Sequence, residues 1–101
     1  MSFVLANRTV TIGQTLVESF GITVRQLREQ HGWSQEKLAE LSDLNRSYVG
    51  EIERGRVIAS IVTAQKLAWA LELPVAGLLA HSERLDQQRT VQRINLAAIA
   101  C

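Results

Sequence analysis

The chain has 101 residues, 47% of them apolar, which allows one domain with a short extension at each end and a small core. Its formal charge is +1, and the segment from Arg25 to Arg56 holds six basic and six acidic residues, so composition alone marks no polyanion partner. No apolar run reaches the length of a bilayer-crossing helix, and the single cysteine, Cys101, excludes an internal disulfide and points to a reducing compartment.

The first residues, Met1 to Arg8, lack a basic start followed by a long apolar stretch. No signal peptide is expected, and the compartment reads as cytoplasmic. Arg8-Thr9-Val10-Thr11-Ile12 alternates like a short strand and ends at Gly13. From Gln14 to His31, Leu16, Val17, Phe20, Val24 and Leu27 recur at three- and four-residue spacing, the mark of a helix. Gly21 inside it costs up to about 1 kcal/mol relative to alanine. Gly32 is placed to end the helix in a left-handed conformation.

Two short helical patterns come next, joined by only about three residues. Ser34 precedes Leu38, Ala39 and Leu41, and Asn45 precedes Val49 and Ile52 with Tyr48 beside them. Serine and asparagine favour the N-cap because their side-chain oxygen accepts an orphaned backbone N–H. These patterns predict helices over about residues 34–42 and 45–54, the second stopped by Gly55. Two helices joined so tightly form the unit that lays its second helix in a DNA major groove.

Ser60 is placed to cap a fourth helix with Ile61, Ala64, Leu67, Ala68 and Leu71 as its buried stripe. Leu73-Pro74 ends it and opens a short fifth helix carrying Val75, Leu78 and Leu79. Beyond this, Ser82 to Gln88 is polar, helical or irregular. Thr90 to Leu96 reads either as a strand, able to pair with Val10 to Ile12, or as a helix through Val91, Ile94 and Ala98. The expected architecture is all-α. A five-helix domain at 14–81 lies between an N-terminal extension, 1–13, and a C-terminal extension, 82–101, a candidate dimerisation element.

Three blocks carry a family resemblance: Gly32 to Glu40, Ile52-Glu53-Arg54-Gly55, and Lys66 to Leu71. Together they resemble the lambda-repressor/Cro-like (Xre-type) helix-turn-helix family over roughly residues 20–80. Within it, Leu44 to Gly55 is most similar to the controller proteins of restriction–modification systems. The resemblance implies a transcription regulator that binds double-stranded DNA as a homodimer, with no cofactor and no membrane partner. By the family's docking, Arg46, Ser47, Gly50 and Glu51 form the base-reading face. Arginine can hold guanine O6 and N7 with two hydrogen bonds, and glutamate can accept from cytosine N4. Gly50 would admit the helix close to the bases. Gln35, Asn45, Tyr48, Arg54 and Arg56 are the implied phosphate contacts, with Asn45 first a cap and half-packing on the core the alternative for Tyr48.

The family also implies a structural ion pair between Arg28 and Glu53, and a dimer surface built from the fifth helix and the segment C-terminal to it. Leu78 and Leu79 fit that surface, although one of them can equally be core. Trp69 is unexpected in its block and is expected to be covered by a terminal extension or a partner subunit. Asp43 replaces a frequent glycine and can adopt the same turn. The loop Val57-Ile58-Ala59-Ser60 lacks a usual proline and is more apolar than a DNA-facing loop. An enzyme reading is poor: His31 and His81 stand apart, with no metal-ligand spacing and no phosphate loop. A second reading, from another class, is an antitoxin-like module that neutralises a protein partner through its terminal extensions.

Overall fold

The computed structural model describes residues 13–100, and the side chains of residues 13–96. Its five helices are, in chain order, α1 Gln14–Gln30, α2 Gln35–Ser42, α3 Arg46–Glu53, α4 Ile61–Ala70 and α5 Val75–Ala100. No described helix is long and apolar enough to cross a membrane.

Each short helix begins at the residue whose side chain can cap it. Ser34 Oγ accepts from Lys37 N at 3.0 Å, and Asn45 Oδ1 accepts from Ser47 N at 2.7 Å. Ser60 Oγ accepts from Thr63 N at 3.0 Å. Between α2 and α3 the chain turns at Asp43, which takes a left-handed conformation (φ 57°, ψ 48°). This is the conformation its short polar side chain tolerates best after glycine and asparagine. Leu44 N then closes back on Ala39 O at 2.9 Å, which keeps the connection tight. The turn before α5 contains a second left-handed residue, Glu72 (φ 64°), which nothing in the sequence pattern singles out.

The core gathers one face from each helix. Val24 of α1, Leu38 of α2, Val49 and Ile52 of α3, Leu67 of α4 and Leu78 of α5 are essentially inaccessible to solvent. Burying side chains of this size contributes about 1.5–3 kcal/mol each. Leu78, expected at a dimer surface, is therefore a core residue: it is fully buried among the chain's own helices and has no surface left for a partner. Trp69 stays 66% exposed, and Ile58 81%, so α5 covers neither of them.

The fifth helix is far longer than its apolar pattern predicts. It runs unbroken from Val75 to Ala100, so Thr90 to Leu96 is helix, and the alternative of a strand there is excluded. Its proposed pairing stretch, Val10 to Ile12, lies outside the described residues. The reason for the extension is a polar seam against α1. Within α5, Ser82 is fully buried and satisfies its hydroxyl on Leu78 O one turn back, at 2.9 Å. Ser19, also fully buried, donates to Asp86 Oδ1 at 3.0 Å and accepts from Arg89 Nη1 at 2.7 Å. Arg89 Nη2 reaches Glu18 at 3.3 Å. Buried polar groups satisfied in this way stabilise a contact that an apolar periodicity cannot reveal.

Two features fix α3 against α1. Gly21 lies against the last turn of α3, where an added Cβ would meet Ile52 O and stand 2.9 Å from Glu53 O. The second is the ion pair of Arg28 and Glu53. Arg28 Nε and Nη2 donate to the two Glu53 oxygens at 2.7 and 3.0 Å, and Nη1 donates to Trp33 O at 2.7 Å. The two side chains are only 11% and 2% exposed. Hydrogen bonding to Glu53 raises the already high pKa of Arg28, so the guanidinium stays charged.

Gly21→Ala should force α1 and α3 apart and lower stability by about 1–3 kcal/mol, the range for overpacking, as read by urea unfolding. Glu53→Ala should cost more, about 3–5 kcal/mol, because it leaves the Arg28 charge buried without its partner. A loss below about 1 kcal/mol, the scale of an exposed pair, would show that this pair is not a structural tie.

Candidate nucleic-acid interface

Gln35 at the start of α2 and Gly50, Glu51 and Arg54 on and just after α3 come together, while Arg46 and Ser47 stand in the first turn of α3. Arg46 and Ser47 are the first two residues of α3, and both are exposed. Asn45 is occupied by capping, since its Oδ1 accepts from Ser47 N and, at 3.4 Å, from Tyr48 N. Its side-chain nitrogen carries the donors that remain. The α3 N-terminus adds a positive partial charge to this corner.

Gln35 opens α2 and is half-buried. Its Nε2 donates to Glu53 Oε1 at 2.9 Å, which ties the start of α2 to the same carboxylate that holds α1. Tyr48 is also half-buried and packs on the core. Its hydroxyl donates to Thr63 Oγ1 at 3.4 Å and so bridges α3 to α4. An approach to a phosphate would require that hydroxyl to change partner.

Gly50 is buried, not exposed as the sequence pattern suggests. The guanidinium of Arg54 and the amide of Gln35 lie over it. Arg54 caps the C-terminus of α3, and its Nη2 donates to Glu51 Oε1 at 2.8 Å. That hydrogen bond is the main cause holding the Glu51 carboxyl below its ordinary value, reinforced by the charges of Arg54 and Arg56. One Glu51 oxygen is thus engaged before any ligand arrives. Arg56 comes directly after Gly55, is exposed, and lies beyond the helix end.

Elsewhere, just beyond α1, His31 and Trp33 stack with ring centroids 4.2 Å apart, and the Trp33 carbonyl accepts from Arg28. Two residues with a part in this face escape sequence reasoning as a unit. Gln35 and Glu53 are 18 positions apart, and only the crossing of α2 and α3 joins them.

Comparison with known proteins agrees with this geometry. The chain is 43% identical over 61 residues to the control protein C.BamHI of Bacillus amyloliquefaciens, a match covering 59% of this chain and 75% of that protein. Among solved structures it is similar to the restriction–modification controller protein C.AhdI from Aeromonas hydrophila, with 51% identity and a TM-score of 0.59. That match covers 62% of this chain and 94% of the other. It is also similar to the clp gene regulator ClgR from Corynebacterium glutamicum, at 30% identity and a TM-score of 0.76, over 83% of this chain and 88% of the other. Two longer curated bacterial transcriptional regulators match as well, and the chain spans only 37% and 38% of their length. A family profile described as "Helix-turn-helix" matches residues 24–78, the segment from α1 to the start of α5. That match takes in more than half of the chain, which belongs to the helix-turn-helix family.

Proposed function

We propose that the chain is a sequence-specific DNA-binding transcription regulator that acts as a homodimer on a near-palindromic operator. The observation that carries this reading is the exposed first turn of α3. There, Arg46 and Ser47 project from a helix capped by Asn45 and tied at its far end through Glu53 to Arg28. An arginine so placed can address guanine with two hydrogen bonds. Gln35, Asn45, Arg54 and Arg56 surround it as candidate phosphate contacts, which set register without reading sequence. Similarity to controller proteins extends the reading to a restriction–modification controller. The setting is cytoplasmic, and no catalytic role is included.

Pairing two copies would place two α3 helices in successive major grooves about 34–36 Å apart. A chain with a net charge of +1 favours such pairing, because two copies double the phosphates that arginines can reach. The surface that supports it is apolar. Ile58, Ile61 and Val62 are exposed beside a groove between α1, α4 and α5 that also includes Leu16 and Leu79. Exposed apolar surface of this kind marks an interaction site more often than a solvated face. The other reading, a module that binds a protein partner through its termini, draws on Val91, Ile94 and Leu96, which are exposed near the end of α5.

Selection from random duplex DNA, with sequencing of the bound pool, tests the proposal. Two half-sites in inverted orientation, one helical turn apart, are the expected result. Arg46→Ala should relax preference at one position per half-site, a loss of about 1–3 kcal/mol of discrimination. Enrichment of no site by a folded chain would remove the regulator reading and direct attention to a protein partner.

A further inference from the structure

An acidic side chain stands where the proposed interface would meet a polyanion. Glu51 lies one turn beyond Ser47 on α3. A carboxylate there weakens association, because nearby phosphates repel it. The structure gives it a different occupation. Its Oε1 accepts from Arg54 Nη2 at 2.8 Å, three residues further along the helix. The same guanidinium lies over Gly50. A Cβ at position 50 would stand 3.3 Å from both Arg54 Nη1 and Nη2 and 3.5 Å from Gln35 Oε1. A side chain there would push the guanidinium outward by a few tenths of an ångström, so glycine permits the closest approach.

Gln35, the other group over Gly50, is itself fixed by its hydrogen bond to Glu53. Arg54 is therefore held by the Glu51 carboxylate over a bare stretch of helix, with the fixed Gln35 amide over the same glycine. The side chain is still 49% exposed, and a guanidinium has five N–H donors, of which Glu51 takes one. An unrestrained arginine at a helix end loses rotamer freedom when it binds a phosphate. Here much of that ordering is complete in the free protein, which favours binding.

We propose that Gly50 and Glu51 are positioning residues for DNA binding that act through Arg54. Gly50 is the seat and Glu51 the clamp that hold the Arg54 guanidinium beside the first residue of α2 as a phosphate anchor. The inference rests on α3 forming the DNA interface, and it assigns Glu51 no base of its own.

Equilibrium binding of four full-length chains tests it: the unaltered protein, Glu51→Gln, Arg54→Ala and the double variant. Each is titrated at one fixed salt concentration against a duplex recovered by selection, and thermal unfolding of each is recorded. Glu51→Gln alone should weaken binding about fivefold, the upper scale of an exposed ion pair, although it removes a negative charge. In the Arg54→Ala background the same change should leave binding unaltered or tighten it, since the orphaned carboxylate only repels phosphates.

Equal losses in both backgrounds, with altered preference at one base pair, would make Glu51 a base reader and overturn the proposal. Tightening in both backgrounds would overturn it as well. Gly50→Ala gives an independent check, because alanine is the better helix former and the atoms it would displace are side-chain ends. It should leave the chain folded, weaken binding about threefold on the same contact scale, and have no effect in the Arg54→Ala background. If the unaltered chain binds no duplex, the interface reading fails and takes this inference with it. Intact binding with no coupling between Glu51 and Arg54 removes the inference alone.

Discussion

The buried pair of Arg28 and Glu53 determines how α3 is presented to the outside. Apolar packing of Val24, Leu38, Val49 and Ile52 brings three helices together, but packing is tolerant of small rotations and slides. Directional bonds are not. Glu53 receives two donors from Arg28 on α1 and one from Gln35 on α2, while Arg28 also holds the backbone of the turn at Trp33. Removing two charges from water is costly, and only geometry this complete offsets it. The pair thus fixes the rotation of α3 about its own axis, and with it the direction in which Arg46 and Ser47 point. Gly21 works in the same sense, since the closeness of α1 to the end of α3 leaves no room for a side chain between them.

From that anchor the organisation extends in two directions. Toward the proposed DNA side, Glu53 holds Gln35, Gln35 lies beside Arg54 over Gly50, and Arg54 holds Glu51. Buried structural charge and exposed interface charge are parts of one connected arrangement. Toward the opposite end, α1 carries Glu18 and Ser19, whose contacts with Asp86 and Arg89 hold α5 against α1 beyond the helix-turn-helix unit. Glu18 also lies against Gly55 at the end of α3, so the long fifth helix and α3 share a neighbour.

Much of this is legible in the sequence, because the local rules are strong. Ser34, Asn45 and Ser60 are efficient caps, and each opens the helix its position predicts. Apolar spacing identifies α1 to α4, and Asp43 takes the left-handed turn that its chemistry permits. The features that the sequence hides have a common physical origin. The length of α5 depends on buried serines and charged residues, which carry no apolar periodicity. Leu78 and Leu79 are adjacent and chemically alike, so sequence cannot tell which of them the helix turns inward. Gly50 reads as exposed because one covering group, Gln35, is brought over it only by the fold, while the other, Arg54, folds back from one turn further on.

In the proposed complex α3 faces the DNA while its anchor, the Arg28–Glu53 pair, stays buried. Side-chain NMR of the arginine Nε–H groups, during titration with a selected duplex, examines both in one spectrum. The Arg46 and Arg54 signals should shift with DNA while the Arg28 signal, locked on Glu53, stays in place. An unmoved Arg46, or a DNA-dependent change at Arg28 as large as that at Arg54, would contradict this arrangement.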